Sequence, residues 1–191
     1  MSQRRLSMDT IRVGDFTAEI HRDDDPQNPR EWSNIGDLWT WQRRGSSPDK
    51  PTLDRDNYES WADYDADLEA QGRIVLPVYC YAHGGVAFDT EPFGCSWDSG
   101  RAGVISAPRG TDGLTDDQIV AALKAEVRAY SQWAGGEVWG YVVRGPDGEE
   151  IESLWGCYDL DDCRAEARRM AEACAADVLA AERLVAEHFA L

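Results

Sequence analysis

One short segment carries the residue types of a nucleophilic site. Cys95, Trp97, Asp98 and Ser99 stand close together in a stretch that also holds glycine and serine, and His83 precedes them. A cysteine or serine nucleophile needs a base within hydrogen-bond reach and a third group that orients this base. Cys95, His83 and Asp98 supply these three types. The segment is therefore a candidate functional loop, and a small cysteine-dependent hydrolase is one function it could serve.

The same loop has a simpler interpretation. It lacks the G-x-S-x-G elbow of serine hydrolases, and a glycine-containing turn closed by a packed tryptophan would use the same residues. Sequence spacing does not show whether His83 meets Cys95 and Asp98 in space. We therefore expect a structural turn and keep the hydrolase as an alternative.

Two further sets of residues could bind a metal ion. An oxygen-rich set suits Ca²⁺ or Mg²⁺, although it lacks the mid-loop glycine of an EF-hand. A sulfur and nitrogen set suits zinc, although it lacks a second paired motif. The first set comprises Asp23, Asp24, Asp25, Asn28 and Glu31, and the second comprises Cys80, His83, Cys95 and Cys157. Neither spacing is specific, so we expect no metal and no cofactor.

The charge of the chain is strongly negative. Its 191 residues include 36 Asp and Glu against 19 Lys and Arg, a formal net charge of -17. Direct binding to nucleic acid needs a basic face and is therefore not expected. Three interpretations of the acidity remain: a solubility or salt adaptation, a surface that imitates nucleic acid and occupies a basic groove on a partner, and local cation binding.

The acidic residues are densest in one predicted helix, over residues 53–70. One stripe of this helix is apolar and predicts a buried face. A second stripe is acidic, and like charges at this spacing destabilise a helix by roughly 0.2–0.5 kcal/mol per pair. The apolar stripe is Tyr58, Trp61, Tyr64 and Leu68, and the acidic stripe is Asp56, Glu59, Asp63 and Asp67. Because ordinary solvated faces mix signs, the acidic stripe is a candidate partner-binding surface, with Asp23, Asp24, Asp25 and Glu31 as further candidates.

The remaining elements alternate between hairpins and helices. Residues 1–10 are predicted to be a flexible tail, and residues 11–191 a single α+β domain. We predict strands over residues 11–22 (one strand or a pair bent at Gly14), 36–43, 73–81, 86–89, 103–107, 137–144 and 149–157. Because hairpins outnumber crossovers, the class is α+β, with a mainly antiparallel sheet packed by two or three helices.

Two more helices complete this prediction. A capping box at Thr115 and Gln118 begins one helix, which ends before Gly135 and Gly136. The longest helix occupies residues 159–191 and carries a stripe of small apolar side chains. This stripe suits packing on a sheet or on the same helix of a second copy, so a homo-oligomer through the C-terminal helix is one expectation.

The sequence also bears on location. The five cysteines form no C-x-x-C pair, no apolar run reaches the length of a membrane span, and the N-terminus lacks the apolar core of a signal peptide. We therefore expect reduced thiols, a cytoplasmic protein and no membrane partner.

Several longer motifs carry a resemblance to a known group of proteins. They are Asp24-Asp25 leading into Pro29-Arg30-Glu31-Trp32-Ser33-Asn34, Leu76-Pro77-Val78-Tyr79, Pro92-Phe93-Gly94-Cys95-Ser96-Trp97-Asp98-Ser99-Gly100, Gly136-Glu137-Val138-Trp139-Gly140-Tyr141, and Glu149-Glu150-Ile151 through Trp155-Gly156. Over roughly residues 11–158, the chain resembles a family of small phage and prophage proteins. The resemblance implies a mobile-element context, in which accessory proteins of this size often neutralise host restriction or CRISPR systems.

Together these observations predict a non-enzymatic, phage-type accessory protein that binds another protein. The expected partner is a host protein with a basic nucleic-acid-binding groove, and DNA mimicry is the expected mechanism. The alternatives are a small metal- or cysteine-dependent hydrolase at Cys95, Asp98 and His83, and a salt-adapted domain whose charge only keeps it soluble.

Overall fold

The computed structural model describes residues 7–41, 47–95 and 97–189, and the predicted tail therefore lies largely outside the described residues. Within them, the strands are β1 (Asp9–Val13), β2 (Phe16–Arg22), β3 (Asp37–Thr40), β4 (Arg73–Ala82), β5 (Val86–Asp89), β6 (Ser99–Pro108), β7 (Trp139–Arg144) and β8 (Glu150–Cys157). The α-helices are α1 (Trp61–Ala70), α2 (Asp116–Ala134) and α3 (Leu160–Phe189). The α+β class is confirmed, and every strand pairing is antiparallel.

The chain divides into two compact units. The first combines Met1–Pro26 with Gly136–Leu191, and the second is the continuous segment Gln27–Gly135. Each unit has its own four-stranded sheet, with strand order β1-β2-β7-β8 in the first and β3-β6-β4-β5 in the second. The second unit is therefore inserted between β2 and β7, which pair directly with each other.

The first unit is a two-layer arrangement of a sheet and one helix. Alternate residues of β2 and β7, such as Ala18, Ile20 and Tyr141, face α3 because side chains of a strand alternate between its two sides. Cys163 and Ala167 of α3 are buried against them. The predicted pair bent at Gly14 is confirmed as the β1–β2 hairpin, in which Gly14 has a positive φ of 58°.

The second unit has a helix on each side of its sheet. Leu38 and Ile105 lie in one core cluster with the apolar stripe of α2. Their neighbours Trp39 and Val104 lie in a different cluster, with α1. Alternate residues of one strand thus pack against α2 on one face of the sheet and against α1 on the other. This explains why β4 and β6 are apolar along both faces.

Pro77 lies at a position of β4 that has a paired strand on one side only. Pro77 pairs with Val104 of β6, whereas β5 pairs with β4 only from Tyr79 onward. A register shift between Val78 and Tyr79 marks a bulge immediately after the proline. Because proline has no N–H to donate, it occupies a position where β4 has a neighbour on one side only.

The predicted start of the 53–70 helix is wrong. The helix begins at Trp61, because Ser60 is its N-cap and accepts a hydrogen bond from the backbone N–H of Asp63. Residues Arg55–Asn57 form a separate 3₁₀ turn that the side chain of Asp54 caps. Asp56 and Glu59 therefore precede the helix, and the four predicted acidic residues do not form one helical stripe.

The other boundaries differ less. β1 begins at Asp9, inside the predicted tail, and β6 begins at Ser99, four residues before its predicted start. The capping box at Thr115 and Gln118 is present as predicted. The last two residues of the predicted 36–43 strand lie in the undescribed stretch 42–46. Among the described helices, none combines the length and the apolar character needed to cross a bilayer.

Candidate functional site

The acidic segment, residues 54–69, comprises most of α1 and the turn before it in the second unit. The carboxylate of Asp63 accepts a hydrogen bond from the Ser60 hydroxyl at 2.7 Å, and that of Asp67 accepts one from the Tyr58 hydroxyl at 2.9 Å. The bond to Asp67 is the largest cause of a raised Tyr58 pKa. Two of the four residues of the predicted acidic stripe therefore also hold the local structure in place.

Three other carboxylates of this segment point into solvent. Asp56, Glu59 and Glu69 are exposed, and within the described residues no hydrogen bond or ion pair engages their side chains. Charges without intramolecular partners remain available to an external cation. Within the acidic segment, these three carboxylates are therefore the charges most available to a basic partner.

An arginine from a different element, Arg101, pairs with a carboxylate at the inner edge of this segment, a contact that the local sequence pattern did not indicate. Arg101 of β6 donates two hydrogen bonds to the carboxylate of Asp65, at 2.7 and 2.8 Å. Its guanidinium lies 4.5 Å from the centroid of the Trp61 ring, and that of Arg55 lies 4.7 Å from the same ring. Such cation–π contacts orient Trp61 and hold the first turn of α1 against the sheet.

The candidate functional loop does bring its three reactive residues together. The thiol of Cys95 lies 3.8 Å from Oδ2 of Asp98, and Nδ1 of His83 lies 3.4 Å from the same oxygen. Asp98 thus stands between the other two. In a nucleophilic triad the imidazole must contact the nucleophile and the carboxylate must orient the imidazole. The observed order, Cys–Asp–His, leaves the thiol without an imidazole base.

Two further observations describe the rest of this loop. The hydroxyl of Ser99 donates to the carbonyl oxygen of Cys95, which closes the turn locally. Trp97 is 95% exposed, so this tryptophan does not close the turn by packing. The turn is held by hydrogen bonds, and its large aromatic side chain is presented to solvent.

The two predicted metal sets are distributed over both units. Asp23, Asp24 and Asp25 belong to the first unit and Glu31 to the second, while Cys157 is separated from the other zinc candidates in the same way. The carboxylate of Asp23 accepts hydrogen bonds from the backbone N–H groups of Asp25 and Gly156, each at 3.1 Å. Over the described ranges, no group of three or more His, Cys, Asp or Glu is arranged to hold a metal ion.

A buried charge network organises the loop before β3, and the sequence analysis did not predict it. Arg30 donates hydrogen bonds to Glu126 of α2 at 2.8 Å and to Asp49 at 2.6 Å. Glu126 also accepts from the backbone N–H of Ile35, and Asp49 from that of Leu38. Burial alone would lower the pKa of Arg30, but the bonds to both carboxylates outweigh it, so the net pKa is raised.

Two cysteines of the first unit belong to the same core region. Cys157 ends β8 and packs against the core cluster that contains Cys163, which lies in the first turn of α3. Both line a cavity of about 360 Å³ whose other walls are Leu154, Tyr158, Asp159, Asp162 and Glu166. The two cysteines are six positions apart and therefore do not have the C-x-x-C spacing sought in the sequence.

Comparison of the chain with protein-family models, with curated proteins and with solved structures finds no match.

Proposed function

We propose that this protein is a non-enzymatic binding protein of a phage or mobile element. Its acidic segment would dock in the basic nucleic-acid-binding groove of a host protein, such as a subunit of a restriction or CRISPR system. The observation that carries the proposal is a set of three exposed carboxylates that have no intramolecular partner among the described residues: Asp56 and Glu59 before α1, and Glu69 near its end.

The support beneath these carboxylates is rigid. Tyr64 and Leu68 of α1 are fully buried, and the Tyr64 ring lies 5.8 Å from that of Trp39 and 5.1 Å from that of Tyr58. A surface held in place by a packed aromatic cluster loses little conformational freedom on binding. Fixed negative charges also accelerate encounter with a basic partner and make the complex sensitive to salt.

The direct test compares two charge-reversal variants of the full chain. The first replaces Asp56, Glu59 and Glu69 by lysine, and the matched control replaces Glu149, Glu150 and Glu152 of the β7–β8 hairpin, which are also exposed, by lysine. Both variants change the net charge by the same amount. Each tagged protein is incubated with host lysate at low salt, and bound proteins are eluted with a short DNA duplex and identified by mass spectrometry.

We expect the native protein and the control to retain a nucleic-acid-handling protein that the duplex displaces, and the first variant to lose it. A loss of similar size in both variants would indicate that the acidity acts through net charge alone, as in a salt-adapted domain. Retention by the first variant would remove the acidic segment from the proposal.

A cysteine-dependent hydrolase at Cys95 is the second candidate, because Asp98 contacts both Cys95 and His83. An active thiol should react with iodoacetamide faster than the other cysteines, and His83→Ala should slow that reaction. Equal labelling of Cys95 in native protein and variant would argue against this candidate, as expected from the missing thiol–imidazole contact.

A further inference from the structure

Helix α1 covers only part of one face of the sheet in the second unit. The helix and β4 have 10 residues each, so α1 is about 15 Å long whereas β4 extends over about 34 Å. The first turn of α1 reaches Arg101, which contacts Trp61 and pairs with Tyr79 of β4. Within the described residues, α2 packs on the opposite face of this sheet. The end of β4 therefore extends beyond α1 on the α1 side.

Three aromatic side chains lie on this uncovered part. Val78 and Cys80 pack with the core on the α2 side, so the alternating residues Tyr79 and Tyr81 face the α1 side. Both tyrosines are half-buried, and the ring of Tyr81 lies 5.8 Å from that of the half-buried Phe93. Tyr79, Tyr81 and Phe93 thus form an open aromatic face beside the first turn of α1.

Exposed carboxylates border the open aromatic face. Asp89 of β5 pairs with Tyr79, so the two side chains are cross-strand neighbours on the same side of the sheet. Asp89 is exposed, and one of its oxygens accepts a hydrogen bond from the backbone N–H of Glu91. Among the described residues, no ion pair engages Asp89. The exposed Glu59 immediately precedes Ser60, the N-cap of α1, at the same end of the helix.

The fold itself shows what an aromatic ring beside a carboxylate can bind. The guanidinium of Arg101 lies 4.5 Å from the centroid of the Trp61 ring and donates two hydrogen bonds to Asp65. The ring attracts the flat side of the cation, and the carboxylate accepts from its edge. A lysine ammonium lacks this planar fork and cannot use both groups in the same way. Tyr79 beside Asp89 offers the same two groups to an external cation.

We propose that the open aromatic face is an interaction surface for arginine side chains of a protein partner. A guanidinium stacks on the tyrosines and donates hydrogen bonds to Asp89. The net charge of -17 attracts a basic segment from a distance, whereas stacking selects arginine over lysine. This inference rests on the proposed function, because it names the chemistry by which a basic groove beside the acidic segment is recognised.

The test compares two fluorescein-labelled peptides that differ only in that every arginine of the first is lysine in the second. Fluorescence anisotropy at low salt measures the binding of each peptide to the full-length protein. We expect the arginine peptide to bind about two- to fivefold more tightly, the range that a cation–π contact at an exposed site provides. Equal affinity for the two peptides, or no binding of either, would overturn the proposal.

Variants of the face locate this preference. Tyr79→Leu/Tyr81→Leu keeps apolar side chains on the strand but removes the aromatic rings, and it should bind both peptides equally. Asp89→Asn, which can still accept from the Glu91 N–H, should weaken binding of the arginine peptide more than that of the lysine peptide. The matched control is Tyr158→Leu, at a half-buried tyrosine of the first unit, and it should keep the native preference. An undiminished arginine preference in both face variants would contradict the assignment.

The lysine variant of Asp56, Glu59 and Glu69 separates this inference from the proposed function. If both hold, this variant binds both peptides more weakly and keeps the preference for arginine. Weaker binding of both peptides by this variant, with no arginine preference in the native protein, would overturn the inference and leave the proposed function in place. Undiminished binding by this variant, with the preference intact, would contradict the acidic segment and support the open aromatic face alone.

Discussion

At the scale of single residues, the buried ion-pair network around Arg30 serves the structure of the fold. Arg30 is nearly buried and donates to Asp49, to Glu126 and to the backbone carbonyl of Gly36, so it joins the loop before β3, the segment after β3 and α2. Arginine suits this task because its planar fork donates in several directions at once. The carboxylates of Asp49 and Glu126 are themselves fixed by backbone N–H groups.

Removing the Arg30 side chain should leave the two partly buried carboxylates of Asp49 and Glu126 without their cationic partner. We predict that Arg30→Ala lowers the free energy of unfolding by about 3 kcal/mol, within the range seen when one partner of a buried ion pair is deleted. Arg30→Lys should recover only part of the loss. Urea titration followed by circular dichroism measures both variants.

Arg168→Ala is the matched control, because Arg168 is exposed on α3 and should change stability by no more than about 0.5 kcal/mol. If the free energy of unfolding of Arg30→Ala is as close to that of the native protein as the control's is, the network does not stabilise the loop.

At the scale of elements, close backbone approach between β3 and β6 requires a glycine. A Cβ added at Gly103 would lie 2.0 Å from the carbonyl oxygen of Trp39 and 2.8 Å from Cα of Thr40. These are backbone atoms that no rotamer change can move. Gly100 of the same strand has open space where its Cβ would stand.

This contrast gives a paired prediction. Gly103→Ala should destabilise the second unit by about 2 kcal/mol or more, because overpacking forces the two strands apart. Gly100→Ala should be nearly neutral. Thermal unfolding of both variants is the measurement, and equal melting temperatures would show that β3 can shift without cost.

Helix α3 raises a different question at the same scale. Its first half packs through Cys163, Ala167 and Ala171, whereas Val178, Leu184 and Val185 of its second half are exposed. The predicted homo-oligomer through this helix stays a prediction.

Exposed apolar side chains on one helix favour association with another apolar helix. We expect the native protein to sediment as a concentration-dependent oligomer and Leu184→Glu/Val185→Glu to sediment as a monomer. Arg168→Ala/Glu172→Ala, on exposed positions of the packed half, should behave as the native protein does. A monomeric native protein at high concentration would exclude this role for α3.

At the scale of the molecule, the second unit is a continuous insertion. Its sheet is covered by α2 on one face and by α1 on the other, and both core clusters lie within Gln27–Gly135. A unit whose core is complete within one segment meets the usual condition for independent folding.

We predict that residues 27–135 expressed alone unfold cooperatively and retain the near-ultraviolet circular dichroism of their packed tryptophans. Trp39→Ala in this fragment should abolish the transition, because Trp39 contacts both Tyr64 and Trp61. A fragment that shows no cooperative transition would mean that the second unit depends on the rest of the chain.

Patterns of short range were predicted well. The capping box of α2, the β7–β8 hairpin and the bend at Gly14 depend on residues a few positions apart, and the structure contains all three. The predicted start of α1 was wrong because the apolar stripe extends before Ser60, the residue that caps the helix. A cap outweighs apolar periodicity where the preceding residues have turn-forming side chains.

These local patterns could not predict contacts between residues that are far apart in the sequence. Arg101 reaches Asp65, Arg30 reaches Glu126, and Asp98 joins Cys95 to His83 only because particular strands and helices lie side by side. Composition and local spacing were enough for the α+β class, the helices and the acidity. Strand order, register and the division into two sheets set which side chains touch, because these contacts join residues far apart in the chain, such as Arg30 and Glu126, which are 96 positions apart.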